Sequence, residues 1–89
     1  MQKLYATLRI EKKTGKPAIF YTVPFSRSIP LTVFTREEGH SGACFEYYYK
    51  ETKPCKDTSL PIVAYYTELC ARIDNQQLVI QARLRGNQS

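Results

Sequence analysis

Four side chains of this sequence have the donor types of a structural zinc site. They are the single histidine and the three cysteines: His40, Cys44, Cys55 and Cys70. Small zinc domains usually draw their ligands from two tight pairs, because a short turn preorganises both donors. Only His40 and Cys44 could share one turn, and Cys70 falls on an apolar helical pattern, where a free cysteine behaves as a small hydrophobe. The sequence therefore predicts no metal site, and these four residues are the only candidates for one.

The same side chains offer one arrangement for nucleophilic catalysis. A cysteine nucleophile needs a base within hydrogen-bond distance, which here means Cys44 or Cys55 with His40. An orienting acid could be Glu37 or Glu38, but neighbours in a charge-rich turn are a commoner coincidence than a site. The chain has no Gly-x-Ser-x-Gly, phosphate-loop, dinucleotide or His-Glu-x-x-His pattern. We therefore predict no catalytic residue, no cofactor and no enzymatic activity.

Cations and tyrosines could together form a nucleic-acid surface. Three successive tyrosines at 47–49 cannot all be buried if they form a strand, because neighbouring side chains point to opposite faces. With Tyr48 outward beside cations, the sheet would offer the rings and charges that bind single-stranded bases. The candidate residues of this surface are Arg9, Lys12, Lys13, Lys16, Tyr48, Lys50 and Arg83. The alternative is that Tyr48 covers a sheet face or pairs across strands, the commoner role of strand tyrosines.

The charge is unevenly distributed. The 89 residues carry a net charge of +5, and residues 1–36 hold seven basic side chains against one acidic side chain. Residues 37–74 hold four basic against seven acidic side chains. Such asymmetry can mark a face that binds polyanions, although a solvated surface is the commoner explanation.

Size and composition restrict the class of protein. A chain of 89 residues with 43% hydrophobic residues can build one modest core, so a single domain over residues 1–89 is expected. No apolar stretch reaches the roughly 18 residues of a membrane helix, and no signal-peptide pattern opens the sequence. We expect a cytoplasmic protein without a membrane partner, whose three cysteines are reduced.

Alternation and turn residues predict the elements that must position these side chains. The predicted strands cover 4–11, 18–23, 31–36, 43–50 and 78–85. A wide loop over 24–30, a turn over 37–42 and an exposed connection over 52–58 lie between them. One helix is predicted over 60–73, capped by Thr58 or Ser59, and residues 86–89 are expected to form a frayed tail.

This order, β-β-β-β-α-β, predicts an α+β domain in which one helix covers a largely antiparallel sheet of about five strands. The side chains expected in its core are Leu8, Ile10, Phe20, Val33, Ile62, Leu69, Ile73 and Ile80.

Elimination leaves a binding protein. A small domain without catalytic or cofactor motifs, and with aromatic strands, most often acts on the surface of a larger macromolecule. We predict a non-enzymatic inhibitor or adaptor of a protein partner, present as a monomer or homodimer. The alternative is a nucleic-acid binder that uses the basic first hairpin. The size is compatible with a mobile-element origin, which no residue shows.

Overall fold

The computed structural model describes residues 1–22 and 30–84. Within these ranges the elements are β1 (Gln2–Glu11), β2 (Pro17–Thr22), β3 (Leu31–Thr35), β4 (Gly39–Ala43), the first π-helical turn (Tyr47–Glu51), β5 (Thr52–Pro54), α1 (Pro61–Leu69), the second π-helical turn (Cys70–Asp74) and β6 (Gln76–Gln81). The expected α+β class, a mostly antiparallel sheet with one helix, is confirmed, with six strands instead of about five.

β1 is the centre of this sheet. The strand order is β4-β3-β2-β1-β5, and β6 also pairs with β1. β6 runs parallel to β1, from Gln2 opposite Gln76 to Thr7 opposite Gln81, whereas the other pairs are antiparallel. Because β1 is ten residues long, β5 and β6 can share one of its edges.

Two glycines close the hairpins that join the first four strands. Gly15 has a φ of 71° in the β1–β2 turn, and Gly39 has a φ of 70° at the start of β4. Glycine adopts this left-handed conformation without the steric cost that a Cβ brings. The first turn sets Leu8 opposite Ile19, so the alternating apolar residues of β1 and β2 share one face.

One core cluster lies between the sheet and α1. Its buried residues are Leu4, Ala6, Leu8, Ile19, Phe34, Ile62, Tyr66 and Cys70. The expected burial of Leu8 and Ile62 is confirmed. Leu69 and Ile80 are only half-buried at the margin of this cluster, and Ile10 is half-buried too.

A second core cluster lies on the opposite face of the sheet. Its buried residues are Ala18, Phe20, Leu31, Val33, Ala43 and Tyr48, which confirms the expected burial of Phe20 and Val33. Tyr48 comes from the first π-helical turn, and its ring meets Phe20 edge-on at 5.2 Å between centroids. This face is therefore covered as well, by a helical segment that the sequence pattern did not indicate.

The expected strand over 43–50 is wrong. The fourth strand is β4, which lies where a turn was expected, and residues 45–51 are helical. The backbone N–H of Tyr48 donates to the Cys44 carbonyl at 3.1 Å, a helical i to i+4 bond. Helical spacing stacks Phe45 on Tyr49 on the exposed side, with 6.0 Å between ring centroids. Of the alternating aromatic residues, Phe45 and Tyr49 therefore share the exposed side of a helix, whereas Tyr47 packs against the second core cluster.

The expected exposed connection over 52–58 is also partly wrong, because its first three residues form β5. Thr52 is buried, and its side-chain hydroxyl donates to the Tyr48 carbonyl. This bond joins β5 to the first π-helical turn. A three-residue strand is too short to show alternation, so pattern analysis could not find it.

α1 confirms the expected helix, but two details differ. Leu60 is the N-cap, with no side-chain cap bond, so neither Thr58 nor Ser59 caps the helix. Ile73, expected in the core, is 71% exposed. The backbone N–H of Asn75 donates to the carbonyl of Cys70, five residues earlier. Each such turn holds about one residue more than an α-helical turn, which rotates Ile73 off the buried side.

Four expectations involve residues outside the described ranges, one of which is the last residue of the strand over 18–23. The other three concern most of the loop over 24–30, the last residue of the strand over 78–85, and the tail over 86–89. Within the described ranges, no helix is long and apolar enough to span a membrane.

Candidate functional site

An exposed apolar stripe runs along the outer side of α1 into the second π-helical turn. It consists of Tyr65, Leu69 and Ile73, called here the outer stripe. Tyr65 is 45% exposed and Ile73 is 71% exposed, while Leu69 is half-buried. A depression of about 400 Å³ lies along the stripe, lined by Tyr65, Glu68, Leu69, Arg72 and Ile73. The outer stripe is therefore a concave apolar surface with charged residues at its margin.

The ring of Tyr65 is held from two directions. It stacks on Phe34 of β3, with 6.0 Å between centroids and 20° between ring planes. The guanidinium carbon of Arg36 lies 4.3 Å from the Tyr65 ring centroid, a cation–π contact. A ring that is already ordered loses little side-chain entropy when a partner covers it. Tyr65 is thus preorganised for contact with another molecule.

Charges of both signs border the outer stripe. The Arg72 guanidinium lies 3.4 Å from the Glu68 carboxylate one helical turn away, and both side chains are largely exposed. Arg36 adds a second cation over Tyr65. Interfaces commonly combine an apolar centre with a polar rim, and tyrosine and arginine are enriched among their energetically dominant residues. The outer stripe has this composition.

A larger and more polar groove of about 530 Å³ lies on the other face of the sheet. Its lining includes the carboxylates of Glu11, Glu37 and Glu38, together with Lys16 and Tyr47. Lys16 lies 3.7 Å from Glu37. The Tyr47 hydroxyl donates to the Glu11 carboxylate at 2.6 Å. Two of the three carboxylates, those of Glu11 and Glu37, therefore already have partners within the groove, which partly compensates its negative charge.

The Tyr47–Glu11 hydrogen bond shifts the pKa of both side chains. Bonds from Tyr47 and Thr14 hold the pKa of Glu11 below its usual 4.5, because they favour the charged carboxylate. Burial and the hydrogen bond to Glu11 raise the pKa of Tyr47 to about 12. The bond is therefore complete when Glu11 is charged and Tyr47 is neutral.

Tyr47→Phe tests this bond through the pH dependence of stability. We expect the variant to lose about 1 kcal/mol near neutral pH, a small effect for a charged acceptor because the groove is open to water. The wild-type advantage is present above the ordinary Glu11 pKa of 4.5 and should shrink as pH falls below it. It should also shrink as pH rises from 10 toward 12. Urea unfolding at several pH values measures the difference, and a difference independent of pH would contradict the account.

The structure does not bring the four zinc candidates together. His40 Nε2 lies 3.0 Å from the Tyr66 hydroxyl on the helix side of the sheet, whereas Cys44 lines the groove on the other side. Cys70 is fully buried, and burial raises the pKa of its thiol; Cys55 is half-buried. Within residues 1–22 and 30–84, no three histidine, cysteine or acidic side chains are placed to hold a metal ion. His40 and Cys44 also lie on opposite sides of the sheet, so they do not form the first of the two catalytic pairs considered above.

The expected open face of cations and rings is wrong for two of its residues. Arg9 and Tyr48 are buried, at 7% and 4% exposure. The Arg9 guanidinium carbon lies 4.1 Å from the Tyr48 ring centroid, and Nε donates to Thr52 Oγ1 at 2.7 Å. Helical geometry of residues 45–51 turns Tyr48 onto the sheet, where it covers Arg9. The contact expected at a nucleic-acid surface is instead an internal one.

The other candidate cations are exposed but separated along the fold. Lys12, Lys13 and Lys16 lie at the β1–β2 turn. Lys50 is on the first π-helical turn, 3.3 Å from the Glu46 carboxylate, and Arg83 follows β6. Only the three turn lysines remain as a compact basic group.

Sequence reasoning missed the outer stripe. Tyr65 was not singled out, and Ile73 was assigned to the core. The spacing of Tyr65, Leu69 and Ile73, four residues apart each time, was the available signal, because residues at i, i+4 and i+8 share one side of a helix.

Comparison of the chain with protein-family models, with curated protein sequences and with solved structures found no match in any of the three.

Proposed function

We propose that this chain is a non-enzymatic binding protein that acts in the cytoplasm as an inhibitor or adaptor of a protein partner. The observation that carries the proposal is the outer stripe, an exposed apolar surface with an ordered tyrosine at one end and Ile73 at the other. Both faces of the sheet are at least partly covered by helical segments, which leaves the stripe as the accessible apolar surface of the helix.

Burial of the outer stripe would supply binding free energy that suits a protein interface. Complete burial of an exposed isoleucine side chain stabilises a complex by about 1.5–3 kcal/mol. Tyr65, fixed between Phe34 and Arg36, can contribute as a preorganised aromatic contact. The rim holds two cations, Arg36 and Arg72, against one acid, Glu68. The partner segment that fits this surface is apolar with an acidic flank.

Nucleic-acid binding is the second candidate, supported by the exposed lysines Lys12, Lys13 and Lys16. A turn with three cations makes few phosphate contacts, and each contact weakens as salt rises. Arg9 and Tyr48, which were expected to stack on bases beside this turn, are buried against each other. This candidate therefore predicts weak binding with steep salt dependence.

Affinity capture from the native cell, with and without nuclease, separates the two candidates. Three baits are compared: wild type, Ile73→Glu, and a variant in which Lys12, Lys13 and Lys16 are all changed to glutamate. All substituted side chains are exposed, so far-UV circular dichroism should be unchanged. We expect wild type and the triple variant to capture the same protein after nuclease treatment, and Ile73→Glu to lose it. Nuclease-sensitive capture that requires the three lysines would contradict the proposal.

A further inference from the structure

The outer edge of β6 is a strand edge without the features that normally block pairing. Its six residues, Gln76–Gln81, include no charged residue and no proline. Exposed edges are usually protected by lysine, proline, bulges or a covering segment, because unpaired backbone groups attract another strand. Within the described residues, β6 pairs only with β1, so its second edge has no strand beside it there.

The other long edge of the sheet is less suited to a partner. β4 has the sequence Gly-His-Ser-Gly-Ala, with two glycines and with its one aliphatic side chain, Ala43, buried. In β6, Leu78, Val79 and Ile80 are all half-buried, so each retains apolar surface that a neighbouring strand could cover. Aliphatic β-branched residues are favoured in paired strands, whereas glycine weakens them.

The sequence of β6 is complementary to itself. In an antiparallel pair of two copies centred on Val79, Leu78 lies opposite the second copy's Ile80, and Gln77 lies opposite the second copy's Gln81. The three apolar residues of the strand then meet apolar residues, Gln77 and Gln81 meet each other, and Gln76 lies opposite the second copy's Ala82. A pair of identical antiparallel strands has two-fold symmetry, which is the commonest symmetry of homodimers.

The residues that flank β6 also fit this arrangement. Asp74 precedes the strand and Arg83 follows it, and both are exposed. Antiparallel pairing brings the acidic end of one strand to the basic end of the other, at both ends of the interface. A parallel pairing would instead place like charges together, which is unfavourable.

We infer that β6 is a homodimer interface, at which two copies of this chain pair antiparallel about Val79 and join their sheets into one. The occupant of the edge is therefore a second copy of the chain. This inference does not depend on the proposed function, because β6 and the outer stripe are different surfaces.

Light scattering after size exclusion tests the inference on three proteins. Wild type is expected at twice the mass of one chain. Val79→Lys places two lysines opposite each other at the symmetry axis and should raise the dimer dissociation constant by about tenfold or more. Ser41→Lys, a matched change on the β4 edge, should leave the dimer intact. A wild-type monomer at all concentrations, or a dimer that Val79→Lys leaves unchanged, would overturn the inference.

A disulfide cross-link identifies the register of the two β6 strands. It also tests the pairing independently of Val79→Lys, which could lose the dimer by misfolding. In a Cys44→Ser background, which removes an exposed thiol, Val79→Cys should form an intermolecular disulfide under mild oxidation. Gln77→Cys on the same edge should not, because the two Gln77 positions would lie roughly 14 Å apart along the strands. Equal linking of both variants, or no linking of Val79→Cys, would show that the strands do not pair about Val79.

Discussion

Tyr66→Ala is expected to lower the free energy of unfolding by about 3–5 kcal/mol, a large part of the stability of a domain this small. Tyr66 is 2% exposed and stacks on Phe34, with 4.3 Å between ring centroids. Its hydroxyl lies 3.0 Å from His40 Nε2, and burial raises its pKa, so the ring stays neutral in the fold. Truncation leaves a cavity between α1 and the sheet and leaves His40 without this partner. Thermal and urea unfolding measure the loss.

Neighbouring variants separate the causes of this loss. Tyr66→Phe keeps the ring but removes the hydroxyl, and should cost only about 0.5–1.5 kcal/mol. Tyr65→Ala alters the next residue, which is 45% exposed and belongs to the outer stripe. It should stay folded and lose capture of the partner. If Tyr65→Ala unfolded as readily as Tyr66→Ala, Tyr65 would be a core residue and the outer stripe would have no binding role.

Arg9→Ala is expected to cost about 2–4 kcal/mol, because it removes hydrogen bonds from a charged donor together with a cation–π contact. Arg9 donates through Nε to Thr52 Oγ1 at 2.7 Å and through Nη2 to the Thr52 carbonyl at 2.8 Å. Its guanidinium carbon lies 4.1 Å from the Tyr48 ring centroid. One side chain thus ties β1 to β5 and to the first π-helical turn. Urea unfolding of wild type and variant measures the effect.

Arg9→Lys is the informative control. Lysine keeps the charge but lacks the planar fork that reaches both Thr52 acceptors, so most of the loss should remain. A change within about 0.5 kcal/mol of wild type for Arg9→Ala would mean that this buried network adds no net stability.

The sequence predicted those parts of the fold that have strong periodicity. Leu4, Ala6 and Leu8 alternate as a half-buried strand should, and Ile62 and Tyr66 share one side of a helix. The class, the first hairpin and the helix followed from these patterns. The parallel pairing of β6 with β1 did not, because periodicity defines the faces of an element but not its neighbours.

The errors have a common physical origin in the two π-helical turns. Phe45, Tyr47 and Tyr49 fall at alternate positions, as the residues of one strand face do, yet the helical turn directs Tyr48 inward onto Arg9. At 70–74, the wider turn moves Ile73 from the buried side of α1 to the outer stripe. A π-helical turn depends on the packing that holds it, and the spacing of Ile73 fits both the buried side of α1 and the outer stripe, so the sequence did not show which side Ile73 takes. The candidate site was missed for this reason.

Photo-crosslinking at position 73 tests whether the outer stripe binds a protein partner. A photoreactive residue replaces Ile73 in one protein and the exposed Lys56, which lies outside the outer stripe, in the matched control. After irradiation in the native cell, we expect a single protein adduct at position 73 that survives nuclease and is missing from the position-56 control. Adducts to nucleic acid, or equal protein adducts at both positions, would contradict the claim that the outer stripe binds a protein partner.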